Sequence, residues 1–390
     1  MKIVSGMRPT GKLHLGHYLG VIKNWLDYQE SNECMFFVAD WHALTNKYTD
    51  TKDLQQNIIE LVKDWLACGI DPNKSTVFVQ SAVKQHSELA LLLGMITPKS
   101  WLELNPSYKD LKFNLFFQYV RDFIYGKGLK IPEDVIRDIV HKAFYHKKDI
   151  DFEGLESDLL GIGVDSENVK EILFNIKDGE IGKEIDTFGF FGYPVLMAAD
   201  ILIYKAEGVP VGEDQLPHIE ITRELARRFN RFYGEVFLEP KAILTKTPKI
   251  LGIDGRKMSK SYNNAIYLSE SREEVSKKVM SMKTDPQRIK KTDPGRPEIC
   301  NVFTYHNIFT DREVVSQIDS KCRQAQIGCV ECKKILTESL NSFLEPIREK
   351  RENIPDSQVK DILLEGNIRA REKAVKTMEE VRKAMNLWQE

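Results

Sequence analysis

The sequence predicts an α/β protein, with a parallel-sheet domain split by a helical insertion and followed by an all-helical C-terminal part. Three patterns carry that expectation. Short apolar runs alternate with helical stretches over about the first hundred residues, α/β character returns near Tyr193, and helical spacing runs from about Asn263 to the end. Strands alternating with helices favour a parallel sheet with right-handed crossovers. A chain of 390 residues can bury a sizeable core and should hold two or three domains.

Lys2-Ile3-Val4 reads as a short strand, followed by a glycine-flanked loop and a helix over 18–26. The run Cys34-Met35-Phe36-Phe37-Val38-Ala39-Asp40 is continuous and apolar up to its last residue, as suits a strand buried on both faces. A helix follows over 54–67, with Ile58, Leu61, Val62, Trp65 and Leu66 at helical spacing and a stop at Gly69-Ile70-Asp71-Pro72. Thr76-Val77-Phe78-Val79-Gln80 is the third strand.

From Leu111 to about 186 the character changes. Helical stretches over 135–140 and 169–173 are joined by turns at Gly126-Lys127-Gly128 and Gly161-Ile162-Gly163. The early part is mildly basic (Lys127, Lys130, Lys142, Lys147, Lys148) and the later part acidic (Asp151, Glu153, Glu156, Asp158), which reads as solvated faces of a small helical insertion. The apolar run from Tyr193 to Tyr204 reads as a buried strand. It leads to a helix over 216–229, then to a polar loop over 255–261.

The formal net charge of −2 does not by itself mark a nucleic-acid binder, although a local basic face would not show in the total. The N-terminus lacks an apolar core of signal-peptide length, and no apolar run is long enough to cross a bilayer. The expected location is the cytoplasm, with no membrane partner. In that reducing compartment the six cysteines are not expected to form disulfides.

The chemistry concentrates in two segments. The first is GMRPTGKLHLGHYLG, over 6–20, where a strand turns through glycines into a helix start. Backbone N–H groups and the helix dipole there suit a phosphate, and His14 and His17 can hydrogen-bond its oxygens. Gly16 lets a flat base approach the backbone. A zinc site or a plain capping loop are the alternatives, though no third zinc ligand is near. The second segment, Lys257-Met258-Ser259-Lys260-Ser261, presents two lysines and two hydroxyls suited to gripping a polyphosphate. Gly255 and Asn263-Asn264 are expected to give this loop freedom to close.

Together these segments resemble the two signatures of class I aminoacyl-tRNA synthetases. The runs Tyr193-Pro194-Val195-Leu196-Met197-Ala198-Ala199-Asp200 and Val209-Pro210-Val211-Gly212-Glu213-Asp214-Gln215 are similar to those of bacterial tryptophanyl-tRNA synthetases, as is His218-Ile219-Glu220-Ile221-Thr222-Arg223. The match covers the chain apart from the insertion.

The resemblance implies a Rossmann-like catalytic domain over 1–110 and 187–262, a helical connective insertion over 111–186, and a helical anticodon-binding domain over 263–390. It implies that tryptophan and ATP, with Mg²⁺, give tryptophanyl-adenylate, and that the tryptophanyl group passes to tRNA(Trp) on a homodimer. Asp200 would accept the indole N–H, with Met7, Met197, Val209, Val211 and Gln215 around the side chain. ATP would meet Arg8, Pro9, Thr10, Gly16, His17, Gly212, Glu213, Asp214, Ile250 and Lys257-Met258-Ser259-Lys260-Ser261. His14, His17, Lys257 and Lys260 would stabilise the reacting phosphate. Many bacterial members carry Thr and Asn where this chain has His14 and His17, and Gln where it has Arg8. A tyrosyl-type synthetase sharing both signatures is the nearest alternative.

Four cysteines fall at Cys300-x21-Cys322-x6-Cys329-x2-Cys332. That spacing suits tetrahedral zinc and an iron–sulfur cube equally. The setting resembles a subset of these synthetases that hold a 4Fe–4S cluster, which implies a cluster here, with a role in structure or anticodon recognition.

Overall fold

The strands Lys2–Met7 (β1), Glu33–Val38 (β2), Ser75–Val79 (β3), Gly208–Val211 (β4) and Lys241–Leu244 (β5) form one parallel sheet in the order β3-β2-β1-β4-β5. The computed structural model describes residues 1–103, 106–145, 150–177, 181, 187–244 and 250–388. The chain builds outward from β1 to β3, then returns to add β4 and β5 on the other side. β1 and β4 therefore flank a topological switch point, where a crevice opens at the carboxyl ends of the strands.

Side chains along the strands alternate between two cores. Ile3, Cys34, Phe36, Val38 and Val77 enter one, and Val4, Met35, Phe37 and Phe78 enter the other. The first crossover is α1 (Leu15–His17), a π turn over Tyr18–Ile22, and α2 (Lys23–Gln29). The sequence predicts an uninterrupted helix there. The π turn instead widens the backbone beside the crevice, a distortion common at functional sites. After β2 come α3 (Asp40–Lys47) and α4 (Leu54–Cys68). Trp65 on α4 meets Trp25, whose ring stacks on Phe36 at 4.2 Å. After β3 come α5 (Gln85–Ile96) and α6 (Lys99–Glu103).

The insertion is helical, as predicted. It consists of α7 (Pro106–Gly126), α8 (Glu133–Tyr145), α9 (Phe152–Gly161) and α10 (Ser166–Lys177), closed on a core of its own that includes Phe117, Val120, Ile136, Val140 and Ile172. Its first helix begins before the predicted 111. The predicted end at 186, with Lys147 and Lys148, lies outside the described residues.

The run from Tyr193 to Tyr204 falls mostly within a helix, α11 (Phe188–Leu202), not in a strand. Val195, Ala198, Ala199, Ile201 and Leu202 are all buried, so both sides of the helix are apolar and periodicity could not separate it from a buried strand. α12 (Leu216–Tyr233) then precedes β5.

The C-terminal helices are α13 (Arg272–Ser281), α14 (Asn301–Phe309), α15 (Arg312–Arg323), α16 (Cys329–Glu352) and α17 (Asp356–Ala384). They pack on the sheet's own cores, through Leu336, Leu340 and Leu344 on one side and Ala370, Ala374 and Met378 on the other. α17 also covers the outer edge of β3. A Cβ at Gly366 would lie 1.7 Å from the Val77 carbonyl oxygen, and the Val79 N–H donates to Asn367 Oδ1 at 2.8 Å. An exposed edge is thereby capped. Among the described residues, no helix is long and apolar enough to cross a membrane.

Candidate active site

The first loop leaves the carboxyl end of β1 and is fastened from two directions. The Leu13 N–H donates to Asp64 Oδ2 at 2.7 Å. Leu13 and Leu15 also pair with 266–268, through Leu15 N to Ile266 O at 3.0 Å and Leu268 N to Leu13 O at 2.9 Å. The segment after Asn263, predicted helical, is therefore extended where it meets this loop. Gly11 adopts a φ of +87°, which favours glycine.

His14 and His17 stack with ring centroids 3.7 Å apart, and the His14 N–H donates to His17 Nδ1 at 3.3 Å. Burial, reinforced by the Lys260 charge, pushes His14 down to about 4. Burial, with the His14 and Lys260 charges, pushes His17 down to about 3. Both rings are therefore neutral at pH 7 and offer N–H groups rather than full cations.

The second loop meets the first. Lys260 Nζ donates to the Thr10 carbonyl oxygen at 2.7 Å. The Met258 side chain is buried in the core near Gly16. Asn264 does not loosen the loop, as the sequence suggested, but pins it. It is buried, its Oδ1 accepts the Ser259 N–H at 2.8 Å, and its Nδ2 donates to Lys257 O at 3.0 Å and Asp254 Oδ1 at 2.8 Å. Asn263 takes the left-handed conformation beside it, with φ of +49°. The Ser261 side chain lies outside the described residues.

Between β1 and β4 opens a cavity of about 830 Å³. Arg8, Met197, Asp200, Val209, Val211, Gly212, Asp214, Gln215 and Lys257 all line it, so the crevice brings together nine residues singled out from the sequence. Met7, Gly16, Ile250 and Met258 instead belong to or abut the core behind the loops, while Pro9 is buried and Glu213 and Thr10 are exposed. His14 and His17 are not among the described lining residues. Phe37, Phe190 and Tyr193 add aromatic walls to this cavity.

Asp200 presents a carboxylate to this space although only 1% of the residue is exposed. His42 Nε2 lies 2.9 Å from Oδ2, His86 Nδ1 2.6 Å from Oδ1, and Gln80 Nε2 2.8 Å from both. Burial pushes the carboxyl up, but these hydrogen bonds outweigh it and hold Asp200 below the ordinary carboxylate range. His218 Nε2 meets the Tyr193 hydroxyl at 2.9 Å, and Arg8 Nη2 donates to Asn46 Oδ1 at 2.5 Å. Sequence reasoning missed His42, Asn46, Gln80, His86 and Tyr204. A signal existed for two of them: Gln80 and His42 are polar residues just past the carboxyl ends of β3 and β2, where open sheets bind ligands.

The four clustered cysteines sit apart from this cavity. Arg288 Nη1 lies 3.6 Å from Cys322 Sγ and 4.0 Å from Cys329 Sγ, and Cys332 Sγ lies 3.4 Å from His306 Nε2. Burial, then the neighbouring Cys300, Cys322 and Cys329, push Cys332 up to about 12. Among the described residues, no three His, Cys, Asp or Glu side chains stand as a single metal ion would require.

Residues 1–126 and 170–345 match the family model described as tRNA synthetases class I (W and Y). A tryptophan–tRNA ligase of Aquifex aeolicus is 58% identical over 399 residues, spanning 99% of this chain and 100% of that protein. Another, from Thermotoga maritima, is 46% identical over 391 residues and spans 99% of each chain. Among solved structures, tryptophanyl-tRNA synthetase from Campylobacter jejuni, complexed with ADP and tryptophan, matches with a TM-score of 0.75 at 30% identity, over 99% of this chain and 100% of that one.

Proposed function

The chain belongs to the tryptophanyl-tRNA synthetases of class I, and on that premise we propose how its residues divide the work. The reaction activates L-tryptophan with ATP to tryptophanyl-adenylate and then charges tRNA(Trp). Asp200 takes the indole N–H, while Met197, Val209 and Val211 wall the ring. The observation that carries this assignment is a buried, ionised carboxylate opening into an aromatic-walled cavity, because indole offers a donor and no acceptor.

Gly212, Asp214 and Gln215 lie at the ribose and ammonium side, and Arg8 and Lys257 face the phosphates. Lys260 and the neutral His14 and His17 close on the α-phosphate as its charge builds, so catalysis rests on positioning and electrostatic stabilisation rather than on a covalent nucleophile. Mg²⁺ enters with the nucleotide. A metal held through phosphates and water suits a site that offers no carboxylate cage among the described residues.

Asp200→Ala tests the assignment. Tryptophan-dependent pyrophosphate exchange should show KM raised on the order of 10²-fold or more, the cost of losing a charged hydrogen-bond partner. An unchanged KM, or exchange driven by tyrosine in the wild type, would overturn it.

We assign 1–110 and 187–262 to catalysis, 111–186 to the insertion and 263–390 to anticodon binding, in an enzyme of the cytoplasm. The working form is a homodimer joined beside the insertion. Leu91 and Met95 on α5 and Phe188 at the start of α11 support this, exposing 63%, 68% and 89% of their surfaces near that junction. A monomer by light scattering at assay concentration would sink it.

Cys300, Cys322, Cys329 and Cys332 hold a 4Fe–4S cluster in this reading. The donor set fits, since Cys332 feels the charge of the other three thiols and Arg288 stands against Cys322 and Cys329. A cube also spreads its thiolates over four irons instead of crowding them on one ion. Bound there, it would supply structure to the helical part, with no role in activation. Anaerobically purified protein should be brown and carry iron and sulfide. Colourless protein, with or without one zinc per chain, overturns the cluster.

A further inference from the structure

Asp200 is gripped from behind by residues that never reach the cavity. His42 lines the cavity, but Gln80, His86 and Tyr204 are not among its described lining. Gln80 and His86 are fully buried, and Tyr204 is 1% exposed. Besides its 2.6 Å contact to Asp200 Oδ1, His86 meets the Tyr204 hydroxyl through Nε2 at 2.7 Å. The chain Tyr204–His86–Asp200 thus runs from the core to the cavity floor.

At the Asp200 end of this chain the direction of the hydrogen bond is fixed by chemistry. An ionised carboxylate only accepts, so His86 carries its proton on Nδ1 and donates to Oδ1. His86 Nε2 and the Tyr204 hydroxyl form the next link, a single hydrogen bond whichever of the two holds the proton. Gln80 donates one N–H shared between both oxygens. A carboxylate has about four acceptor sites, so three donor groups leave one for a ligand. With two of the three donors, Gln80 and His86, fully buried, the carboxylate cannot turn that remaining site away from the cavity.

We propose that His86, backed by Tyr204 and joined by Gln80, is a positioning residue that aims the Asp200 carboxylate into the cavity, and so makes the site select side chains bearing an N–H over isosteres without one. The inference rests on the reading that Asp200 accepts the indole N–H. None of the three residues contacts the substrate, and each acts through Asp200 alone.

The test uses the full-length enzyme in pyrophosphate exchange, with tryptophan and with benzothienylalanine, in which sulfur replaces the indole N–H. Wild type should favour tryptophan in KM on the order of 10²-fold. His86→Ala should cut that ratio about tenfold by raising the tryptophan KM, with the analogue's KM little changed and the loss in KM rather than kcat. His86→Asn, whose amide nitrogen can replace Nδ1, should recover most of the ratio, and Tyr204→Phe should lower it about threefold. Equal KM values in the wild type would overturn the Asp200 reading itself. A wild type that discriminates, with a His86→Ala variant that keeps the ratio or raises both KM values alike, would overturn only the positioning role. If His86→Ala does not fold, an unchanged ratio in Tyr204→Phe overturns that role as well.

Discussion

Lys260 Nζ donates to the Thr10 carbonyl oxygen at 2.7 Å, which ties the second signature loop to the first across 250 residues of chain. The contact sets a cation of the second loop against the backbone of the first. It also has a cost, because burial pushes Lys260 down to about 8, against an opposing pull from Asp64.

That depressed value fixes a pH dependence. Lys260 is cationic below about 8 and loses its charge as the pH rises through it. In the free enzyme, kcat/KM for ATP should therefore fall as pH rises from about 7.5 to about 9. Lys260→Arg should flatten that limb, since guanidinium does not titrate there, and Lys260→Met should lower the rate on the order of 10²-fold at pH 7. The stability effect has the opposite sense. The folded pKa lies below the ordinary lysine value of 10.5, so burying this cation costs stability below about 8, and the cost fades as pH rises toward 10.5. Lys260→Met should accordingly melt no lower than wild type at pH 7.

His14 and His17 are pushed down to about 4 and about 3, so neither titrates between about pH 5.5 and about 8. A neutral side-chain donor should substitute for one of them better than an apolar group. His17→Asn is expected to lose about tenfold in kcat and His17→Ala on the order of 10²- to 10³-fold. Single-turnover adenylate formation across that pH range would separate the two variants. An acid limb near the ordinary histidine value in the wild type would contradict the neutral assignment.

Asp64 links the C-terminal helices to the first loop. Arg351 on α16 donates to its Oδ1 at 2.6 Å, and its Oδ2 accepts the Leu13 N–H at 2.7 Å. Asp64 is fully buried. Arg351→Met strands that charge and should cost about 3–5 kcal/mol in urea unfolding. Because Leu13 immediately precedes His14, the same variant should weaken ATP use. A variant that unfolds earlier in urea yet keeps wild-type kcat/KM for ATP would show that the loop does not depend on this anchor.

Three of the five strands, β1, β2 and β3, were legible as short apolar runs bounded by turns, whereas β4 and β5 were not read as strands. The two signature segments were legible by residue type. The helix over Phe188–Leu202 was not, because a run apolar on both sides has no informative period. The cavity residues Arg8, Asp200 and Gln215 could be named from a family resemblance, but the donors behind Asp200 could not. His86 and Tyr204 lie 114 and 118 residues from their partners in the chain, and nothing local marks a histidine in a helix as the middle of a buried hydrogen-bonded chain. Asn264 misled for a related reason. An Asn-Asn pair in a polar loop usually signals a turn, and only the folded chain shows the Asn264 amide spent on three backbone and side-chain groups.

Gly366 offers the sharpest stability test. α17 lies so close to β3 that a Cβ at 366 would stand 1.7 Å from the Val77 carbonyl oxygen, and rigid backbone cannot yield there as a side chain can. Gly366→Ala must push the helix off the sheet edge, lengthening the 2.8 Å bond from Val79 N–H to Asn367 and loosening Ala370 and Ala374 from the core. The expected loss is about 3 kcal/mol, at the upper end for overpacking. Gly94→Ala in α5 is the matching control, because a Cβ there meets nothing within 4 Å and should stabilise by about 0.5–1 kcal/mol. Urea unfolding of both variants decides the point: if Gly366→Ala is no less stable than wild type, α17 does not pack on the β3 edge as closely as the Val77 contact requires.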